Sequence, residues 1–487
     1  MSHPIFDIDE LLRQVADELV EISPQTAVSF ALLRRSFEEP TLSSLWKQQP
    51  SLATLVKVLP NHTWVQDEKG SKSIVSGCNF PADRIWFNFP QAIEDDPSPG
   101  DWTRLRQYAS WMRELHIGHG GEPPVGTLFR LSNNSPGGVL CPKLEGLSWD
   151  VWGAKNILSF FRLFLSPHLK RVNLYRFAAL LIPEALSADF VQIVSSLPTS
   201  LEKISIKCVE GKEGTLKDAL STLVCRSGPS LRTFYFYSSL TEAAVHHITQ
   251  LPNLRSLVFA QGPPQTAPLS VVPPLNDLRL YGQAALPWLH LLALHGEGIL
   301  QNDSATHANI RETLRELRCP VGTAVDPTFL SSILKFHNLV ALNVDTYCQD
   351  REGCTFRLTD ADMENLVTTL PRLKCLQLGR PCRFNPCNAT VASLMLISTH
   401  CLDLTILETH FNTCTIVGDM QRLLDGGSGR DSAKCQLQKL GIGYSPPGVG
   451  RKDVEIVVKG FKAIFPSLAD FIDYSGHWRE LRAKILG

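Results

Sequence analysis

Residues 370–378 read Leu370-Pro371-Arg372-Leu373-Lys374-Cys375-Leu376-Gln377-Leu378. The leading leucine, Leu373, is followed three and five positions later by further leucines, with other residues between them. Residues two apart on a β-strand share a face, so this spacing predicts a short strand with one buried side. The proline two residues before Leu373 indicates a turn at which the strand begins.

The same spacing returns along most of the chain. From Leu144 to Leu437 ten intervals of 21 to 39 residues cover 293 positions, an average of about 29. The leading residues are Leu144, Leu169, Leu201, Leu231, Leu254, Leu275, Leu314, Leu339, Leu373, Leu404 and Leu437, with a weaker copy at Leu468. Self-similarity at such a period is typical of repeat architectures.

The positions three and five residues after each leading leucine are almost all apolar. They are Leu147/Trp149, Val172/Leu174, Ile204/Ile206, Phe234/Phe236, Leu257/Phe259, Leu278/Leu280, Leu317/Cys319, Leu342/Val344, Leu376/Leu378, Leu407/Thr409 and Leu440/Ile442. Helical spacing precedes the strands at Leu254 and Leu373. The pattern is that of leucine-rich repeats. It predicts an α/β fold, a horseshoe-shaped solenoid with a concave parallel β-sheet and convex helices.

The first 50 residues follow a different, helical pattern. The pattern of residues 5–22 predicts an amphipathic helix with acidic residues in its first turn. Ser23-Pro24 predicts the start of a second helix that runs to about Phe37, and Glu39-Pro40 the start of a third. Three short helices enclose little core, so we expect their remaining apolar surface to face another domain or another protein.

The run from Ile5 to Trp46 resembles the F-box of fungal F-box proteins, above all at residues 31–40 and in the cluster that follows them. The resemblance implies that this head binds the Skp adaptor, and through it the cullin, of a ubiquitin ligase. The adaptor-binding residues it implies are Ile5, Ile8, Leu11, Leu12, Leu42, Leu45 and Trp46. The family usually has a proline near the start of the first helix, where this chain has Asp9. The alternative interpretation is a generic helical cap on the solenoid.

These patterns predict four segments. They are an F-box domain over residues 1–60, a linker and N-terminal cap helix over 61–135, the leucine-rich-repeat solenoid over 136–450, and a C-terminal cap over 451–487. The cap helix is predicted over residues 100–117. Its apolar residues at helical spacing are Trp102, Leu105, Tyr108, Met112 and Leu115.

Charge and hydropathy narrow the class of partner. The chain has 47 basic and 48 acidic residues, a formal net charge of −1, so it lacks the basic excess typical of proteins that bind nucleic acid or anionic membranes. No apolar run reaches the roughly 18 residues that span a bilayer. The N-terminus does not read as a signal peptide. We therefore expect a cytoplasmic or nuclear protein whose 13 cysteines are reduced.

Motifs for catalysis and cofactors are missing from the sequence. No dinucleotide loop, phosphate loop or Gly-x-Ser-x-Gly elbow occurs in its required context. Cys375, Cys382, Cys387, Cys401 and Cys414, with His400, fit no standard zinc spacing. We expect no enzyme activity, no cofactor and no metal.

Tyrosine and arginine are the side chains most often found at interface hot spots. On the predicted strands they occupy outward positions at Tyr175, Tyr235, Tyr237, Arg279, Tyr281 and Arg318. We predict that these residues bind an unidentified target protein. Head and solenoid together resemble the substrate receptors of SCF-type ubiquitin ligases. The alternative is a leucine-rich-repeat interaction scaffold with no role in ubiquitination.

Overall fold

The computed structural model describes residues 8–59, 97–118, 123, 125–150, 155–178, 191–209, 213–236, 240–259, 273–281, 287–289, 292, 310–319, 327–345, 358–380, 388–426, 435–442, 449–472, 476 and 478–486. The chain divides into two compact units, Met1–Leu231 and Arg232–Gly487. Each unit is described by itself.

The first unit begins with helices and continues with alternating helices and strands. Its helices are α1 (Asp9–Ile22), α2 (Pro24–Leu33), α3 (Arg35–Trp46), α4 (Leu52–Val56), α5 (Pro99–Trp111), α6 (Val125–Asn134) and α7 (Glu213–Arg226). Its strands are β1 (Gln48–Gln49), β2 (Glu114–Ile117), β3 (Gly146–Asp150), β4 (Arg171–Ala178) and β5 (Lys203–Val209). Short 3₁₀ helices cover Pro136–Gly138 and Lys155–Phe164.

The second unit repeats the alternation of strand and helix to its end. Its strands are β6 (Thr233–Phe236), β7 (Ser256–Phe259), β8 (Asp277–Leu280), β9 (Glu316–Cys319), β10 (Ala341–Asp345), β11 (Cys375–Arg380), β12 (Ile406–Glu408), β13 (Lys439–Gly441) and β14 (Asp470–Ile472). Its helices are α8 (Glu242–Thr249), α9 (Ile310–Thr313), α10 (Pro327–Ile333), α11 (Asp360–Thr369), α12 (Ala392–His400), α13 (Ile416–Asp425), α14 (Val454–Ile464) and α15 (Arg479–Leu486). A 3₁₀ turn at Arg451–Asp453 precedes α14.

Within each unit the strands pair in parallel and in chain order. The predicted core positions face each other in register, as Leu147 faces Val172 and Leu342 faces Leu376. All 22 predicted core side chains of the eleven strands are at most 3% exposed. The α/β leucine-rich-repeat fold predicted from the leucine spacing is therefore confirmed.

Two strands precede the first repeat that the sequence pattern identified. β2 follows the template with Met112 in the leading position and with Leu115 and Ile117 buried. The predicted helix over residues 100–117 therefore ends at Trp111, and its last residues form a strand. β1 pairs with β2, and Gln49 occupies its buried position, where the side-chain amide donates to the Leu45 carbonyl at 2.8 Å.

The head contains three helices as predicted, but the break between the second and third lies earlier. α2 ends at Leu33, because Arg34 adopts extended backbone (φ −156°), and α3 begins at Arg35 with Pro40 inside it. Ser23 caps α2 by accepting from the Thr26 amide, and the proline follows at the first helical position.

Helices α13 and α14 of the second unit pack closely at a glycine. A Cβ atom placed on Gly460 would lie 2.2 Å from Met420 Sδ, well inside van der Waals contact. Gly418, on the same helix as Met420, has no neighbour within 4 Å of such an atom. The approach of the two helices therefore requires glycine at position 460 and not at position 418.

Candidate functional site

The three head helices enclose a small core built largely from alanine. Ala16, Ala27 and Ala31 are at most 8% exposed, and the ring of Phe37 stacks on Phe30 with centroids 4.5 Å apart. Alanines let the helices approach closely but contribute little buried area each. Most of the larger apolar side chains therefore remain outside this core.

The outer faces of α1 and α2 carry an apolar surface, which we call the head surface. Of twelve large apolar side chains that are exposed among the described residues, seven lie here: Ile8, Leu11, Val15, Ile22, Val28, Leu32 and Leu33. The first four follow one stripe of α1 at steps of three, four and seven residues. Leu32 and Leu33 are 82% and 74% exposed. Folded proteins usually bury so many apolar side chains, so a cluster of this kind is typical of an interaction surface.

The seven predicted adaptor-binding residues fall into different environments. Ile8 and Leu11 lie on the head surface, whereas Leu12 is 2% exposed and belongs to the core. Leu42, Leu45 and Trp46 are half-buried in α3. Ile5 lies outside the described residues. Asp9 is the first residue of α1, where its carboxylate is placed favourably for the helix dipole.

Trp46 joins the head to helix α5. Its ring lies 4.6 Å from that of Tyr108 in α5, and Tyr108 packs edge-on against Trp111. Next to it, the carbonyl of Lys47 accepts from the amides of Arg113 and Glu114, at 2.9 Å each. These contacts fix the end of α3 on the start of the sheet within the first unit.

A polar cluster lies on the outward face of β6, β7 and β8 in the second unit. The carboxylate of Asp277 accepts from the Ser256 hydroxyl at 2.7 Å and from Arg279 Nε and Nη2 at 3.3 and 3.2 Å. The Tyr235 hydroxyl lies 3.2 Å from Ser256 Oγ and 3.5 Å from Asp277 Oδ2. Partial burial lowers the pKa of Arg279, but the hydrogen bond and charge of Asp277 outweigh it and raise that pKa.

Tyr235 and Arg279 meet above the strand between them. Both are in register with Val258 of β7, and the guanidinium carbon of Arg279 lies 5.3 Å from the centre of the Tyr235 ring. Val258 beneath them is 0% exposed, although it is on the outward side of the strand. A guanidinium over a tyrosine ring at this distance is a cation–π contact, worth about 0.5–2 kcal/mol. The pair is thus held in place before any partner binds.

The other predicted target-binding residues lie around this pair or apart from it. Arg318 of β9 is in register with Arg279 and binds Glu316 at 3.1 Å, and Tyr281 follows β8 directly. Tyr175 is half-buried on β4 of the first unit, opposite Asp150. Tyr237 lies outside the described residues. The structure therefore brings together Tyr235, Arg279, Arg318 and Tyr281, which we call the sheet cluster together with Ser256, Asp277 and Glu316.

Several residues of the sheet cluster and the head surface were not predicted, although the sequence contains a signal for them. Ser256, Asp277 and Glu316 stand two residues after their leading leucines, on the same outward face as Tyr235 and Arg279, which stand four residues after theirs. In the head, α2 is apolar around most of its circumference, which indicates contacts on more than one side.

The titratable groups of the second unit include one fully buried histidine. His410 is 0% exposed, and its Nε2 lies 2.8 Å from the carbonyl oxygen of Gly379. Burial lowers the pKa of His410 to about 4, although the hydrogen bond to Gly379 acts in the opposite direction. The imidazole is therefore neutral at pH 7 and donates through Nε2.

The cysteines considered for a metal site differ in their surroundings where the structure describes them. Cys401 is buried, and burial raises the pKa of its thiol to about 12, with Cys435 adding to the effect. Cys375 is on β11 and Cys414 is exposed, whereas Cys382 and Cys387 lie outside the described residues. In the part of the chain that the structure describes, no three histidine, cysteine or acidic side chains are placed to hold a metal ion.

Comparison with known proteins gives a distant likeness. No protein-family model matches the chain, and no curated protein matches it. The chain is similar to the solved structure of the leucine-rich repeat-containing protein LegL7 from Legionella pneumophila, with 12% identity and a TM-score of 0.30. The match covers 71% of this chain and 91% of that one. Among the described helices, none is long and apolar enough to cross a bilayer.

Proposed function

We propose that this protein is the substrate-receptor subunit of an SCF-type cullin ubiquitin ligase. The head surface docks on the Skp adaptor, and the sheet cluster binds a target protein. The protein contributes no catalytic residue in this role, since it raises the concentration of the target near the ubiquitin-charged enzyme. The role requires the cytoplasm or nucleus, the compartments expected from the sequence.

The observation that carries the proposal is the concentration of exposed apolar side chains on two short helices. Covering the remaining half of a large apolar side chain is worth about 1 kcal/mol. Seven such side chains therefore supply on the order of 7 kcal/mol of gross binding free energy, before the cost of association is subtracted. This favours a docking partner for α1 and α2, and the resemblance to the F-box supports the adaptor as that partner.

The sheet cluster supports the second half of the proposal. It combines tyrosine and arginine, it seals an apolar residue from water, and hydrogen bonds to Asp277 hold its side chains in one arrangement. Preorganised groups lose less entropy when a partner binds. The cluster therefore has the composition and rigidity of an interface hot spot.

The first experiment measures binding of the full-length chain to a purified fungal Skp adaptor by biolayer interferometry. Variant one is Ile8→Asp with Leu11→Asp, and variant two is Leu32→Asp with Leu33→Asp. All four residues are at least 36% exposed, and circular dichroism checks that each variant is folded before its binding is compared. Phe129→Asp is the matched control, because Phe129 is 59% exposed on α6, outside the head.

We expect each double variant to bind at least about 30-fold more weakly, since two apolar contacts of about 1 kcal/mol each are lost and two charges must be desolvated. The Phe129 control should bind like the wild type. Equal binding by all four proteins would show that the head surface is not part of the adaptor interface. Absence of binding by the wild type would overturn the ligase role and leave the leucine-rich-repeat scaffold as the function.

A further inference from the structure

The outward face of β8 and β9 places two arginines side by side. Arg279 and Arg318 are in register on neighbouring strands, and so are Asp277 and Glu316 two residues earlier. Strands in a sheet lie about 4.8 Å apart, so each row brings like charges together, which is unfavourable. Each arginine is instead compensated within its own strand, by the carboxylate two positions before it.

The compensating carboxylates leave part of each guanidinium available. Arg279 uses Nε and Nη2 for Asp277, and Arg318 uses Nη2 for Glu316. No described residue accepts from Nη1 of either arginine. The two side chains are 25% and 42% exposed, so a ligand can reach them. Arg279 is also fixed by the Tyr235 ring, which makes its remaining donor a preorganised one.

We infer that Arg279 and Arg318 accept the carboxylate of an aspartate or glutamate in an extended segment of the bound protein. This inference rests on the proposed function of the sheet cluster as the target-binding surface. The segment approaches from the side of Tyr281, two residues beyond Arg279, because the opposite side holds the acidic row. Guanidinium groups recognise carboxylates by short, paired hydrogen bonds, which the two adjacent arginines offer jointly.

The charge balance selects a carboxylate over a phosphate group. Asp277, Arg279, Glu316 and Arg318 sum to zero formal charge, so the cluster has little long-range attraction for anions. A doubly charged phosphate would gain from the two arginines and be repelled by the two nearby carboxylates. A carboxylate carries a single charge, so it is repelled less and still makes the paired hydrogen bonds.

The test uses a phage-displayed library of random 12-residue peptides, panned on the full-length chain and counter-selected on the variant Arg279→Gln, Arg318→Gln. An enriched peptide is then synthesised in three forms, with Glu, Gln or phosphoserine at its acidic position. Arg422→Gln is the matched control, because Arg422 is a highly exposed arginine on α13 of the same unit.

We expect the enriched peptides to contain an acidic residue. Replacing it by Gln should raise the Kd at least tenfold on the wild type and on the Arg422→Gln control, and less than twofold on the double variant. Binding that is lost in Tyr235→Ala but unchanged by the Glu-to-Gln replacement would rule out recognition of a carboxylate. The sheet cluster would then remain the target-binding surface. A phosphoserine form that binds more than tenfold tighter would also rule out recognition of a carboxylate. If no peptide is enriched on the wild type over the double variant, the inference is wrong. The target-binding surface is wrong as well if the selected peptides bind Tyr235→Ala as they bind the wild type.

Discussion

Lowering the pH from 7 to 5 should destabilise the second unit through the buried imidazole of His410. The neutral ring donates to the Gly379 carbonyl in the folded state, where its pKa is about 4. In the unfolded chain the pKa is near 6.5, so between these values the unfolded state binds a proton that the folded state does not. The contribution of neutral His410 to the free energy of unfolding is therefore present above pH 6.5 and is lost as the pH decreases toward 4.

The size of the loss follows from the two pKa values. Linkage over that interval gives about 2 kcal/mol between pH 7 and pH 5, and roughly 3 kcal/mol once the pH reaches 4. The matched variant is His410→Gln, because a glutamine amide can donate to the same carbonyl but does not titrate. Its loss of stability over the same pH change should be smaller by about 2 kcal/mol.

Urea unfolding of wild type and variant at both pH values measures this difference, since all other titrating groups are common to the two proteins. Hydrogen exchange of β12, corrected for the intrinsic rate, localises the effect to the strand before His410. Parallel losses in the two proteins would refute the reasoning, and so would an His410 ring that titrates near pH 6.5 by NMR.

Two further predictions concern packing. Gly460→Ala should lower the free energy of unfolding by about 1–3 kcal/mol, because the added Cβ would meet Met420 Sδ at 2.2 Å. Gly418→Ala, on the neighbouring helix, should be neutral or stabilise the protein by up to about 1 kcal/mol. Thermal unfolding compares the two variants, and equal effects would contradict the close approach of the helices. Trp46→Ala should remove the contact with Tyr108 and raise hydrogen exchange in α5 at least several-fold, and unchanged protection of α5 would count against the role of Trp46 in joining the head to the sheet.

The repeat was readable from the sequence because its buried positions are nearly all apolar at a fixed spacing. Strand registers such as Leu342 with Leu376 followed directly from aligning the leading leucines. The first two strands were not predicted. In β2, Met112 replaces the leading leucine, and in β1, Gln49 occupies the buried position. A repeat pattern with methionine allowed in the leading position predicts β2, but no apolar pattern predicts β1.

The surfaces were harder to predict, because the sequence does not say which apolar side chains are covered. In the head, the choice between Leu12 and Leu32 depends on how closely helices with alanine cores approach. In the second unit, Tyr235 and Arg279 were predicted from their residue types. The network that orients them needed Asp277, whose significance appears only when neighbouring strands are aligned.

The pairing of β1 with β2 bears on how this protein can be divided. Since β1 follows α3 after a single residue, the segment that precedes the sheet also protects its first edge. A chain beginning at residue 97 would present the backbone of β2 unpaired, and an unpaired strand edge is a template for joining another chain. We therefore expect such a truncated protein to self-associate, and the head not to be a module that can be removed without cost to the rest.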